Sequence, residues 1–305
     1  MKKIYISNFS GLGNRLQALV IAAMIEDRWG HAIYLDWPER DSLRVAGTHR
    51  GAIMPWQRIG MLKLRDFDAA RLATLGETRV ISLRSTYGPR ELQRRHVLPT
   101  AARLSPHPRI AAAIRETFAR FAGRPAVAVH IRQGDFQVAQ DTYDANAHRH
   151  PAPGIWWYEH VMREYARAFP GVYFVAGYSG EPAALAGLQS QFEVVTLPAV
   201  FTYKNLLPGH TSAGHPVADL FGLACCTTLL ATPTSSFSHW AANCLGPPTR
   251  AILPPPRTTR SAPSWGVAEI RGGVALDWRD VAERGVGLKV GGALPAPTPA
   301  VTDWL

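Results

Sequence analysis

The sequence has no long apolar run. Its longest unbroken stretch, Ala18 to Ile25, is eight residues, whereas a membrane-spanning helix needs about 20. The apolar start after Met1-Lys2-Lys3 is interrupted at Ser7 and Asn8, too early for the hydrophobic segment of a secretory leader, so a cytoplasmic protein is expected. Cysteine is scarce: Cys225, Cys226 and Cys244 form no C-x-x-C pair. That excludes a disulfide framework and argues against a structural zinc site. There is no Gly-x-Ser-x-Gly elbow and no Walker loop, which speaks against the hydrolase and P-loop folds. Nor is there a Lys/Arg block of five or an aromatic-basic interleave, so nucleic acid is not the expected partner. At 47% apolar and 18% charged residues, the chain is not disordered.

What the chain does have is positive charge: 33 Lys and Arg against 23 Asp and Glu, a formal +10. This balance suits a phosphorylated ligand or a peripheral contact with an anionic membrane surface. Most of the excess is Arg, the side chain suited to two-pronged phosphate contacts.

Periodicity predicts an α/β protein. Lys3 to Ser7 reads as a strand, 14–29 as a helix ended by Gly30, and Ala32 to Asp36 as the next strand: one βαβ unit with a glycine turn. Val80 to Leu83 reads as a strand, 69–75 as a short helix, and 110–121 as a helix ended by Gly123. A second α/β run starts with the apolar strand 126–131, whose pattern fits a sheet covered on both faces. Helices 156–169, 181–189, 217–226 and 236–245 then alternate with strands 172–176 and 228–232 and an extended segment 192–197. Order is expected to weaken after 245, where Gly246 to Arg257 holds five prolines, and the Pro/Ala-rich stretch 293–300 reads as loose. The expected fold class is α/β, with two Rossmann-like domains facing a cleft: residues 1–122, then 123–305 with its Pro-rich tail. Ligands of such sheets bind beyond the carboxyl ends of the strands.

Four motifs fall at such ends. Gly11-Leu12-Gly13-Asn14-Arg15 allows a tight turn and close backbone approach to a ligand. It lacks the third glycine of a dinucleotide fingerprint, because Leu16 stands there, and its plainer reading is a turn with Asn14 capping the helix. In His130-Ile131-Arg132-Gln133-Gly134-Asp135, alternation sends His130 and Arg132 the same way, and an arginine at the sheet edge can grip a diphosphate. The plainer alternative is an Arg132–Asp135 ion pair closing the loop. Ser235-Ser236-Phe237-Ser238-His239-Trp240 opens a helix whose free N–H groups and hydroxyls suit an anion, or simply caps it. Asp219 lies in a helical first turn, where a carboxylate is favoured by the dipole, or accepts from a nucleoside N–H or hydroxyl. Two further patterns are weaker. Asp66-Phe67-Asp68 has a metal-site form but reads as a helix start, and His148-Arg149-His150 reads as a polar loop, so no metal is expected.

Taken in order, Gly-Leu-Gly-Asn-Arg, His-Ile-Arg-Gln-Gly-Asp, Ala-Asp-Leu-Phe and Ser-Ser-Phe-Ser-His-Trp resemble the GDP-fucose-dependent fucosyltransferases, the superfamily of α-1,2- and α-1,6-, nodulation and protein O-fucosyltransferases. The resemblance covers about residues 4–36 and 126–245. It implies a GT-B type fold, an acceptor side in residues 1–122 and a nucleotide-sugar donor domain in 123–305. It also implies inverting, metal-independent transfer of fucose to a hydroxyl of a glycan or other polyol, with no cofactor beyond GDP-fucose as donor substrate. Under it Arg132 contacts the diphosphate, His130 and Gly134 complete its motif, and Ser235, Ser236 and Phe237 cradle the phosphates. Asp219 contacts the nucleoside, Gly11, Gly13 and Asn14 belong to the donor-binding set with Asn14 lining the cleft, and Asp135 or Asp141 is the candidate base. Where many members carry Arg-Arg, this chain has Arg132-Gln133. A transferase for another nucleotide sugar and a non-catalytic nucleotide- or glycan-binding protein are the alternatives. Trp37, Trp56 and Tyr87 are available for sugar stacking, although such aromatics are more often core.

Overall fold

The computed structural model describes residues 1–65, 69–86, 90–147, 150–203, 214–270 and 278–305. Asp66-Phe67-Asp68, Tyr87, His148 and Arg149 lie outside them. The chain divides into two compact units, one of Met1–His107 joined by Tyr203, the other running from Pro108. The division falls before the helix Pro108–Ala119, not after it at 122, because that helix packs on Pro216–Leu223 of the second unit.

The first unit is a five-stranded parallel sheet in the order His49–Arg50, Ala32–Asp36, Lys3–Ser7, Val80–Leu83, Leu62–Leu64. The expected strands at 3–7, 32–36 and 80–83 all form. Ile4, Ile6, Ile33, Ile81 and Leu83 are buried on one face, and the helix Leu12–Trp29 is buried along residues Leu16 and Ala18 to Ile25. This helix starts two residues earlier than expected. Gly11, in extended conformation, is its cap, so Gly13 and Asn14 lie within the first turn and Asn14 is not the cap. Gly30 closes it with a left-handed φ of 69°. The basic stretch before Ala101, which showed little period, is a helix over Arg90–Ala101 with Pro99 inside it.

The second unit is built on a seven-stranded sheet ordered Val194–Thr196, Tyr173–Ser179, Ala126–Arg132, Thr228–Leu230, Thr249–Leu253, Gly266–Ile270, Lys289–Val290. The first five strands are parallel to one another, and the last two pairings are antiparallel, so that only Gly266–Ile270 runs against the rest. Val127, Val129 and Ile131 join Trp157, Val161 and Met162 in one core layer. Ala126, Ala128 and His130 point to the opposite face, the alternation expected of a strand.

Three expectations for this unit are corrected. The strand expected to end at Ala176 continues to Ser179. At Gly177 the strand lies close to the neighbouring helix: a Cβ there would sit 2.9 Å from Leu223 Cδ1, so a larger residue would require the Leu223 side chain to shift. The proline-rich stretch after 245 contains a full strand, Thr249–Leu253, since its prolines flank that strand rather than interrupt it. The tail is not loose either. Thr298 O accepts from Ala126 N at 2.9 Å, Val301 N donates to Cys225 O at 2.8 Å, and Trp304 stacks on Phe221 at 5.8 Å. Prolines stop it from forming a ladder, yet its remaining groups extend the hydrogen bonding at the sheet's amino end. Cys225 and Cys226 are buried and Cys244 half-buried. Among the described residues no helix is long and apolar enough to cross a membrane.

Candidate functional site

The strand Ala126–Arg132 lies at the centre of the second sheet, between Tyr173–Ser179 and Thr228–Leu230. Its carboxyl end is therefore fixed from both sides. Thr232, just past the adjacent strand, supplies the link: its Oγ1 accepts from Arg132 N at 3.0 Å and donates to His130 O at 2.8 Å. Tyr158 OH lies 3.0 Å from the same oxygen. One buried hydroxyl thus ties the motif of residues 130–135 to the segment leading into Ser235 and Ser236.

His130 turns into the sheet face covered by that segment. Its Nδ1 is 2.7 Å from Ser238 Oγ, and its ring stacks on Phe237 at 4.9 Å. Burial, helped by the charge of Arg132, pushes its pKa down to about 3, so the imidazole is neutral and acts as a hydrogen-bonding spacer rather than as a general base at neutral pH. The structure thus joins His130 to Phe237 directly, two residues the sequence named separately. Ser238, Thr232 and Tyr158 were not singled out. Ser238 lies inside a quoted motif and Thr232 shortly before it, whereas Tyr158 comes from the helix Ile155–Ala168 with no motif near it.

Arg132 shows the ion pair that was its plainer reading. Its Nε donates to Asp135 Oδ1 at 2.7 Å, and its guanidinium lies over the Phe136 ring at 5.5 Å. The turn between them, which contains Gly134, closes through Phe136 N to Gln133 O at 3.2 Å. A guanidinium has five N–H donors, and the bond to Asp135 uses the one at Nε.

Ser235 precedes the helical turn Ser236–His239, which widens to a π-helical turn over Trp240–Cys244. Leu245 N bonds Trp240 O at 3.2 Å. Such widened turns are common at functional sites. Directly before Ser235, Thr234 has φ 58°, a left-handed conformation that costs a β-branched residue roughly 1–3 kcal/mol. Its buried Oγ1 has no partner among the described residues. Strain of this kind between a strand end and a helix start re-aims the backbone, and no sequence pattern announced it.

Asp219 is buried in the first turn of Pro216–Leu223, with Oδ1 2.7 Å from where a Cβ on Gly214 would lie, and it packs beneath Gly177. His215 caps this helix: its Nδ1 accepts from Val217 N at 3.2 Å, and burial lowers its pKa to about 4. The side chain of Asp141 is 79% exposed and sits 3.7 Å from Arg260 beside a two-stranded ribbon.

Gly11, Gly13 and Asn14 belong to the first unit, where Asn14 Nδ2 donates to Ser10 Oγ at 2.7 Å. The next residue is the unexpected one. Arg15 is fully buried and pairs with the equally buried Glu39. It also donates to Asn8 Oδ1 and Ser10 O, and its guanidinium lies 5.7 Å from the Trp37 ring. Tyr203 OH donates to Glu39 Oε1 at 2.8 Å. Trp37 is buried here and so is not a stacking surface, whereas Trp56 is 68% exposed. Among the described residues no three His, Cys, Asp or Glu side chains converge as metal ligands.

No model of a known protein family matches the sequence, and no curated protein does. Solved structures do match. The selenomethionine form of the fucosyltransferase NodZ from Bradyrhizobium is 15% identical, with a TM-score of 0.51 over 88% of this chain and 99% of that one. NodZ α-1,6-fucosyltransferase soaked with GDP-fucose is 16% identical, with a TM-score of 0.51 over 88% of this chain and 100% of that one. A mutant of Arabidopsis thaliana FUT1 in complex with GDP is 10% identical, with a TM-score of 0.52 over 83% of this chain and 70% of that one. With two units built on parallel sheets and these likenesses, the chain has the GT-B type α/β fold of the fucosyltransferases NodZ and FUT1.

Proposed function

We propose that the protein is an inverting, metal-independent glycosyltransferase that moves fucose from GDP-fucose to an acceptor hydroxyl of a glycan or other polyol. The observation that carries this reading is the convergence of Arg132 and the Ser235–Ser236 segment at the carboxyl ends of two adjacent parallel strands, tied by Thr232. The diphosphate is gripped there by the Arg132 guanidinium and by Ser235, Ser236 and the backbone of Phe237. His130 and Gly134 hold that geometry, and Asp219 accepts from the nucleoside.

In the reaction the acceptor oxygen forms a bond to the anomeric carbon from the face opposite the leaving group. The bond from that carbon to the diphosphate oxygen breaks and its electron pair leaves with GDP. The acceptor proton passes to a carboxylate or to water. Charge grows on the departing diphosphate, where fixed donors stabilise the transition state most. Asp135 is already engaged by Arg132 and is assigned to orienting it, which leaves Asp141 as the carboxylate for the proton.

The test is turnover with a panel of GDP-, UDP- and ADP-sugars, each with and without EDTA. The reading requires release of GDP from GDP-fucose, dependent on acceptor and unchanged by EDTA. Turnover of a UDP-sugar alone, or tight GDP binding without turnover of any donor, overturns it.

A further inference from the structure

Among the described residues, the face of the first sheet away from the helix Leu12–Trp29 has no helix packed over its centre. One row of side chains crosses all five strands there: His49, Tyr34, Tyr5, Ser82 and Lys63 are register partners in turn. Tyr34 stacks between Tyr5 and His49 at 4.9 and 5.0 Å. The connection from His49–Arg50 to Leu62–Leu64 links the two edge strands and includes a single tight turn, Pro55–Arg58.

That turn is oriented inside out. Its polar residue faces inward: Gln57 Nε2 donates to Tyr5 OH at 2.9 Å, and Gln57 Oε1 accepts from Met54 N at 2.9 Å. Its apolar residues face water. Met54, Trp56 and Ile59 are 48%, 68% and 86% exposed, and an exposed apolar cluster marks an interaction surface. Residues 51–65 contain three basic side chains and no acid. Arg58 and Lys63 have no ion-pair partner among the described residues.

We propose that this turn is a membrane-surface anchor that inserts Trp56, Ile59 and Met54 among the headgroups of an anionic bilayer, with Arg58 and Lys63 against the lipid phosphates. Tryptophan favours that interfacial layer because its ring is amphipathic. A basic surface on a chain of formal charge +10 is attracted to anionic lipid, with each cation near the surface adding to the affinity. Gln57 holds the turn to Tyr5, so the apolar side chains stay pre-oriented outward. A neutral glycan platform gives no account of the unpaired cations, and a second copy of this chain would bring the same positive charge against itself.

The test is co-sedimentation of the full chain with vesicles of phosphatidylcholine, with and without phosphatidylglycerol, at low and high salt. The protein should bind the anionic vesicles, release as salt rises, and bind neutral vesicles weakly. Trp56→Ser and Ile59→Ser should each weaken binding about tenfold, and Arg58→Glu roughly thirtyfold at low salt. All three sites are on the surface, and circular dichroism of each variant should match the parent. Three results overturn the proposal: no binding to either vesicle, binding to anionic vesicles that Trp56→Ser and Ile59→Ser leave intact, or concentration-dependent dimerisation that these substitutions abolish in the absence of vesicle binding. None of these outcomes bears on donor turnover, so the anchor and the transferase reading fail separately.

Discussion

Arg132 Nε donates to Asp135 Oδ1 across 2.7 Å, three residues apart on one closing turn. The ion pair fixes the direction of the Arg132 guanidinium, and the phosphate role proposed for Arg132 uses that fixed direction. The pair also sorts Asp135 into a role. If it orients Arg132, then Asp135→Ala lowers turnover about tenfold, Arg132→Ala lowers it about 100–1,000-fold, and the double variant is no worse than Arg132→Ala alone. If Asp135 were instead the base, Asp135→Ala would remove the acidic limb of the pH–rate profile and cost as much as Arg132→Ala. Steady-state kinetics of the three variants across pH separate the two cases.

Acid should destabilise the fold by a specific route. His130 and His215 have folded pKa values pushed down to about 3 and about 4, in both cases first by burial. The unfolded chain takes up a proton at each near pH 6.5, whereas the folded chain does not. Stability contributed by the neutral rings is therefore complete above pH 6.5 and is lost as pH falls toward those folded values, by up to about 1.4 kcal/mol per pH unit for each ring. In His215 protonation would also break the helix cap, since a protonated Nδ1 cannot accept from Val217 N. Urea unfolding at pH 7.5 and pH 5 measures the loss. His215→Asn, which keeps a capping acceptor that does not titrate, should flatten the slope, and an unchanged slope would count against the assignment.

The contrast between strands and networks shows what the sequence made legible. Lys3–Ser7, Ala32–Asp36 and Val80–Leu83 were readable because a buried parallel strand is a short apolar run bounded by turn residues. The glycine at 30 and the serines at 235 and 236 were readable because helix ends need particular residues. The extension of Tyr173–Ser179 was not, since it rests on pairing with His130, Ile131 and Arg132 of another strand. Nor was Thr249–Leu253, where flanking prolines masked the strand between them. In the site, Arg132, Asp135 and Phe237 carried local patterns. Thr232, Tyr158, Ser238 and the left-handed Thr234 carry none, because their roles exist only when distant segments are brought side by side.

The buried pair of Arg15 and Glu39 gives a third prediction. Arg15 Nε, Glu39 Oε2, Trp37 Nε1 and Ser7 Oγ are buried without partners among the described residues. Removing one charge strands the other, so Glu39→Ala should cost about 3–5 kcal/mol of stability. The paired apolar replacement Arg15→Met with Glu39→Leu should cost much less, because no charge is then left buried. Chemical denaturation of both variants checks this, and equal losses would show that the charges act independently.

The claim on which the functional account rests is that Arg132 grips the diphosphate. Calorimetric titration of GDP into the wild-type protein and into Arg132→Ala tests it most directly. A charge-assisted contact of about 1.5–3 kcal/mol predicts that affinity falls about 10- to 150-fold in the variant while its melting temperature stays close to the parent's. Equal GDP affinity in the two proteins would contradict the account.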